Sequence, residues 1–323
     1  LAGRMANQLE AVGAKRGDRI AVQVDKSVEA LALFWACVRG GFVFLPLNTA
    51  YTFAEVSYFL TDAEASVFVV SSAKYNEALG FATAAGCKSV LTLDDAGGGT
   101  LLHNANVAFH DVESNWDDIA AILYTSGTTG RSKGAMLSHA NLASNALALI
   151  ELWRFTRDDV LLHALPVYHT HGLFVGMNTV LLSGGQLLFH RKFNADDVMR
   201  DLPKTTCFMG VPTFYTRLLK HERMTKVATK HMRLFVSGSA PLLAETHREF
   251  EGRTGHVILE RYGMTETNMI ASNPFDGKRC AGTVGFALPH VEVKIADPVT
   301  GQDLPQGADG MIEVRGPNVF QGY

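Results

Sequence analysis

The residues best able to do chemistry are gathered in Tyr124-Thr-Ser-Gly-Thr-Thr-Gly-Arg-Ser-Lys-Gly134. Gly127 and Gly130 let backbone N–H groups turn inward, and the hydroxyls of Thr125, Ser126, Thr128 and Thr129 add donors. Lys133 supplies a point charge. Together these are the parts of a phosphate cradle. The nucleotide P-loop is a different pattern, because it needs glycine before the lysine and a helix starting there; here Ser132 precedes Lys133 and Gly134 follows it. A plain Ser/Thr/Gly surface turn is the alternative reading.

Other polar groups are less self-sufficient. His169 and His171 form a His-x-His pair, but no carboxylate or cysteine nearby in sequence completes a metal site, so a polar pocket wall or simple packing competes with ligation. Neither Ser126 nor Ser237 stands in Gly-x-Ser-x-Gly, which argues against a serine nucleophile. Arg261, in Glu260-Arg-Tyr-Gly-Met-Thr-Glu-Thr267, is a large cation in an otherwise mixed segment.

The surrounding elements must position these groups. Short runs at 19–24, 42–45, 67–70, 88–91, 119–123, 160–164, 186–189, 206–209, 234–237 and 257–259 read as strands, and most are unbroken apolar runs without alternation, as strands buried on both faces are. Helical patterns separate them, among them a helix capped by Ser27, one opened by the capping box Thr52-Phe-Ala-Glu55, and others over 138–151 and 241–253. The expected class is α/β: two packed α/β layers with mostly parallel sheets. The phosphate loop reads as the tip of a strand–loop–strand hairpin. After Gly282 the polar/apolar alternation of Val291–Ile295 and Met311–Val314 predicts a small antiparallel piece. The expected divisions are 1–118, 119–280 and 281–323. In an open α/β sheet ligands bind beyond the carboxyl ends of the strands. The loops at 124–134, 166–172, 210–213, 237–241 and 260–267 are therefore expected to line one crevice.

The chain has 323 residues, 47% hydrophobic and 19% charged, with a net charge of −3. It has no basic run, which argues against nucleic acid as a partner. The longest apolar stretch is broken by Arg39, Gly40 and Gly41, so no membrane span is expected. Cys37, Cys87, Cys207 and Cys280 show no C-x-x-C pairing, consistent with a reduced, cytoplasmic setting; a targeting peptide upstream of Leu1 would escape notice. Leu1 already stands inside a helical pattern and 316–323 reads as a loop leaving a strand, so both ends are expected to be cuts in a longer protein.

Tyr124–Gly134 followed by Tyr262-Gly-Met-Thr-Glu266 resembles the signature pair of the adenylate-forming acyl-CoA synthetases and their luciferase and peptide-synthetase relatives. The likeness runs over essentially the whole chain, which is similar to the large N-terminal domain of that fold. It implies ATP-dependent activation of a carboxylate as an acyl-adenylate, then transfer to a thiol, usually that of coenzyme A. It further implies that Thr125, Ser126, Gly127, Thr128, Thr129, Gly130 and Lys133 hold the triphosphate. Thr265 would touch the α-phosphate, Glu266 would hold Mg²⁺, and Tyr262, Gly263, Ser239 and Ala240 would flank the adenine. On this resemblance Lys133, Thr265 and Glu266 are the catalytic set.

Two departures stand out. Ser132 replaces the usual proline before the lysine, and the ribose-binding aspartate, the hinge and the small catalytic C-terminal domain would lie beyond Tyr323. A non-catalytic nucleotide-binding module is therefore one alternative.

Relatives that take apolar acids usually have a small residue where Arg261 stands. A buried guanidinium beside an apolar substrate would be an unpaired charge, but it suits a diacid. The sequences around Tyr168–Gly172, Gly210–Tyr215 and Glu260–Thr267 resemble the malonyl-CoA synthetases. Arg261 would then clamp the distal carboxylate of malonate, or of methylmalonate, with His169 or His171, Arg131 and Ser237 assisting. A solvent-facing Arg261 paired with Glu260 or Glu266 is the competing reading, and it would suit a ligase for another short-chain or aryl acid.

Overall fold

The computed structural model describes residues 1–125 and 131–323, which divide into two compact units. The first comprises Leu1–His139, Pro166–His169 and Phe320–Tyr323; the second comprises Ala140–Leu165 and Thr170–Val319.

In the first unit, strands β1 (Arg19–Gln23), β2 (Val43–Pro46), β3 (Ala65–Val70), β4 (Ser89–Thr92), β5 (Ile119–Thr125) and β6 (Lys133–Ser138) form one sheet in the order β4-β3-β1-β2-β5-β6. The first five run parallel; β6 turns back antiparallel to β5. β3 is buried along its whole length, as its unbroken Ala-Ser-Val-Phe-Val-Val requires. Helix Val28–Gly40 starts where Ser27 accepts from the Ala30 N–H, and it ends at Gly41, whose φ of 64° is the left-handed conformation a helix C-terminus favours. Helix Phe53–Asp62 opens with the reciprocal Thr52–Glu55 capping box. Chain segment 321–322 lies against β6: the Met136 N–H donates to the Gly322 carbonyl and the Gln321 N–H to the Met136 carbonyl, both at 2.9 Å.

In the second unit, β7 (Val160–His163), β8 (Gln186–Phe189), β9 (Cys207–Gly210), β10 (Leu234–Ser237), β11 (Leu259–Met264), β12 (Asn268–Ser272) and β13 (Phe286–Ala287) form a sheet in the order β13-β12-β11-β10-β9-β7-β8. From β11 to β8 the pairing is parallel, while β12 and β13 are antiparallel additions. Helix His139–Trp153 leads into this unit, and Pro212–Leu219 and Ala244–Thr254 are among its other helices. Two apolar clusters, one around Trp153, Leu161 and Met269, the other around Phe208, Tyr215 and Phe250, form its core. A separate antiparallel pair, β14 (Glu292–Ala296) and β15 (Met311–Arg315), provides the expected β-rich piece.

The segment 260–267 does not form a loop as expected. β11 continues through Arg261, Tyr262, Gly263 and Met264, and its far half is paired by β12 with a register irregularity at Tyr262/Gly263. Arg-Tyr-Gly-Met has no apolar run to announce a strand, and the antiparallel partner is what makes it one.

Candidate active site

In the first unit, β5 and β6 carry the stems of the phosphate loop; Thr125 pairs with Lys133 across the hairpin. Ser126, Gly127, Thr128, Thr129 and Gly130 lie outside the described residues. Helix Phe53–Asp62 holds both stems. The Tyr58 hydroxyl donates to the Ser132 carbonyl at 2.9 Å, and the Tyr124 hydroxyl donates to Asp62 Oδ2 at 2.6 Å. Arg131 is exposed with its guanidinium 5.5 Å from the Tyr58 ring centre, and the Lys133 ammonium lies 4.9 Å from that of Tyr323. His169 also belongs to this unit, exposed and beside Tyr168.

In the second unit, the carboxyl ends of β10 and β11 line a cavity of about 340 Å³ with Ser237, Gly238, Ser239, Arg261, Tyr262 and Gly263 in its wall. Arg261 is only 4% exposed. Its Nε and Nη2 are buried without a hydrogen-bond partner, and so is the Ser237 hydroxyl. Burial pushes the guanidinium down to about 9, a shift the nearby Tyr215 phenol opposes. Successive strand residues face opposite sides of a sheet, so Glu260, next in β11, cannot reach Arg261. Glu260 instead accepts from the Gly282 N–H at 3.2 Å. No carboxylate among the described residues pairs with Arg261, contrary to the reading that places Glu260 or Glu266 against it.

Ser239 holds a left-handed φ of 69°, and its hydroxyl lies 3.2 Å from Nδ1 of His171, the buried first residue of a π-helix running to Asn178. Ala240 is exposed and Tyr262 half-buried. Gly263 has no room for a side chain, since a Cβ there would stand 1.9 Å from the Asn268 carbonyl oxygen. Thr265 is half-buried and Glu266 is 9% exposed.

Asparagines that sequence reasoning missed lock this turn. Asn145 both donates to and accepts from the Met269 backbone, at 2.8 and 3.2 Å, and Asn318 donates to the Thr267 carbonyl at 2.8 Å. Their partners are 124 and 51 residues away, so no local pattern announces them.

The described residues contain no group of three or more His, Cys, Asp or Glu suited to a metal. That is a poor fit to a zinc-type cage. A single buried carboxylate such as Glu266 fits Mg²⁺, which takes one or two protein oxygens and completes its shell with phosphate and water.

A parallel α/β sheet that carries a glycine- and hydroxyl-rich hairpin sequence in one unit, and in the other a parallel sheet with a cavity beyond its strands' carboxyl ends, are each features of a nucleotide-handling class of protein. The family model described as AMP-binding enzyme matches residues 1–323, and the chain belongs to that family. The chain is 34% identical, over 97% of its length and 59% of the relative's, to the Mus musculus protein named Malonate–CoA ligase ACSF3, mitochondrial. It is 58% identical to ATP-bound MatB from Rhodopseudomonas palustris, with a TM-score of 0.97 over the whole chain and 64% of that one. A malonyl-CoA ligase described as a ternary product complex with methylmalonyl-CoA and AMP shares 33% identity and a TM-score of 0.84, over the whole chain and 66% of its own. The chain thus spans about 59% of the length of the mouse relative. Its fold is that of the large N-terminal domain of the adenylate-forming enzymes. Among the described residues no helix is long and apolar enough to cross a membrane.

Proposed function

We propose that the whole protein joins malonate to coenzyme A with ATP, through a malonyl-adenylate, releasing pyrophosphate and then AMP. The observation that carries this reading is the buried Arg261 with Nε and Nη2 unpaired in the wall of a cavity. Those two atoms form one edge of the guanidinium, and their N–H bonds run parallel, the geometry that grips both oxygens of a carboxylate. Ser237 lines the same cavity, and its hydroxyl is likewise unpaired. An apolar acid would leave both guanidinium donors buried and unsatisfied, whereas the second carboxylate of a short diacid satisfies them.

The other carboxylate attacks the α-phosphorus of ATP. Repulsion between two anions is the chief obstacle, so neutralisation and alignment matter more than covalent help. Thr125, Ser126, Gly127, Thr128, Thr129, Gly130 and Lys133 would hold the triphosphate, and Thr265 the α-phosphate. Tyr262, Gly263, Ser239 and Ala240 would border the adenine. Glu266 would hold Mg²⁺, which when bound neutralises phosphate charge. His171, whose Nδ1 lies 3.2 Å from the Ser239 hydroxyl, or His169 would assist the acyl group. Arg131, also exposed, would act on phosphate rather than on the acid. The free thiols of Cys37, Cys87, Cys207 and Cys280 support a reducing, cytoplasmic setting.

The test supplies the whole gene product with ATP, Mg²⁺, coenzyme A and equimolar malonate, methylmalonate, succinate, acetate and cinnamate, and reads the thioesters by mass. Malonyl-CoA should dominate. Methylmalonyl-CoA should follow, since one methyl group discriminates by only about 1–3 kcal/mol. A dominant monoacid thioester would remove the diacid reading.

A further inference from the structure

Arg261 cannot choose its own direction, because what it lies on is the first residue past the end of β10. A Cβ built on Gly238 would meet, as its three nearest atoms, Arg261 Cζ at 2.4 Å, Nε at 2.6 Å and Nη1 at 2.6 Å. The guanidinium is therefore laid flat across the bare Cα of Gly238, with Nε and Nη2 left unpaired. The parallel register of β10 and β11 sets Ser237 opposite Glu260, so the next residues along, Gly238 and Arg261, lie side by side. Gly238 does not have the positive φ that would demand glycine for backbone reasons. The three atoms nearest to a side chain there all belong to the arginine.

We propose that Gly238 is a specificity-determining residue: the surface that aims the Arg261 fork at a substrate's second carboxylate, and whose substitution converts a diacid site into a monoacid site. This rests on the assignment of Arg261 to that carboxylate. A methyl group at 238 occupies the volume of Cζ and Nε, so the guanidinium must swing away, and the donors it carries go with it. A monocarboxylic acid never uses that fork and loses nothing.

The experiment compares wild type, Gly238→Ala, Arg261→Ala and the double variant in the whole protein, with steady-state kinetics on malonate and on butyrate. For Gly238→Ala, KM for malonate should rise by at least about tenfold, while kcat/KM for butyrate stays level or rises. In the Arg261→Ala background the alanine at 238 should change nothing further, because every nearest atom it displaces belongs to Arg261. Unchanged malonate kinetics in Gly238→Ala, or equal losses on both acids, would overturn the proposal. If Gly238→Ala does not fold, the double variant should fold as Arg261→Ala does; a double variant that also fails to fold would show that something other than Arg261 requires the glycine. A wild type that ignores malonate would defeat the diacid reading instead, an outcome distinct from a malonate-active wild type indifferent to Gly238→Ala.

Discussion

Replacing Arg261 should move activity and stability in opposite directions. In the free protein the guanidinium is 4% exposed, with two donor atoms unpaired. Burying a charge costs several kcal/mol unless a partner and hydrogen bonds offset it, and replacing buried ions by apolar residues of similar volume is often stabilising by about 1–4 kcal/mol. Arg261→Met keeps the aliphatic stem and removes the charge, so without substrate it should unfold at a higher denaturant concentration than wild type. Malonate binding tells the other half. Two charge-assisted hydrogen bonds at about 1.5–3 kcal/mol each are lost, and at 1.4 kcal/mol per factor of ten that is a loss on the order of 10³ in kcat/KM. The assay pairs urea melts, with and without malonate, with mass detection of malonyl-CoA and acetyl-CoA. Malonate should shift the wild-type midpoint upward and leave the variant's in place, since a ligand stabilises only the fold that binds it. A variant with wild-type malonate kinetics, or one that unfolds earlier than wild type without ligand, would refute the reasoning.

Glu260 is also buried, and burial raises its carboxyl above the ordinary 4.5, opposed by the hydrogen bond from the Gly282 N–H. Its folded form resists ionisation, so its penalty is absent below 4.5 and grows as pH rises through the folded value. Glu260→Gln should therefore melt higher than wild type at neutral pH, with the difference closing in acid; a difference that widened in acid would reverse the sign. Gly263→Ala places a methyl 1.9 Å from the Asn268 carbonyl oxygen and should cost more than about 3 kcal/mol in a denaturant melt. Tyr58→Phe keeps the ring under Arg131 and deletes one hydrogen bond of about 1 kcal/mol to the Ser132 carbonyl. KM for ATP should rise severalfold while KM for malonate stays fixed, as isothermal titration of each ligand would show.

Much of the scaffold was legible because its signals are local. Buried parallel strands must be apolar throughout, and β3, β9 and β10 stand where such runs occur. Ser27 and the Thr52–Glu55 pair mark helix starts because an orphan N–H needs a nearby acceptor. The strand character of 261–264 was not legible, since it depends on β12, and the two exposed residues of β13 carry no pattern at all. At the site, the residue type alone made Arg261 suspicious, because arginine is costly wherever it is buried. That Gly238 supports it, that Asn318 ties down Thr267, and that Tyr58 steadies Ser132 are facts about neighbours that only folding brings together.

The contact of segment 321–322 with β6 bears on how the chain is made. β6 closes the first sheet on that side, and an uncovered edge strand is a template for pairing with another chain. Its cover arrives late, since the stretch between Met136 and Gly322 takes roughly 10–40 s to synthesise at ribosomal speed. During that interval the nascent chain exposes the backbone of Met136 to its surroundings, and a crowded polysome places identical copies within reach. The segment thus doubles as a seal on β6 that is available only once the chain has been made through Gly322.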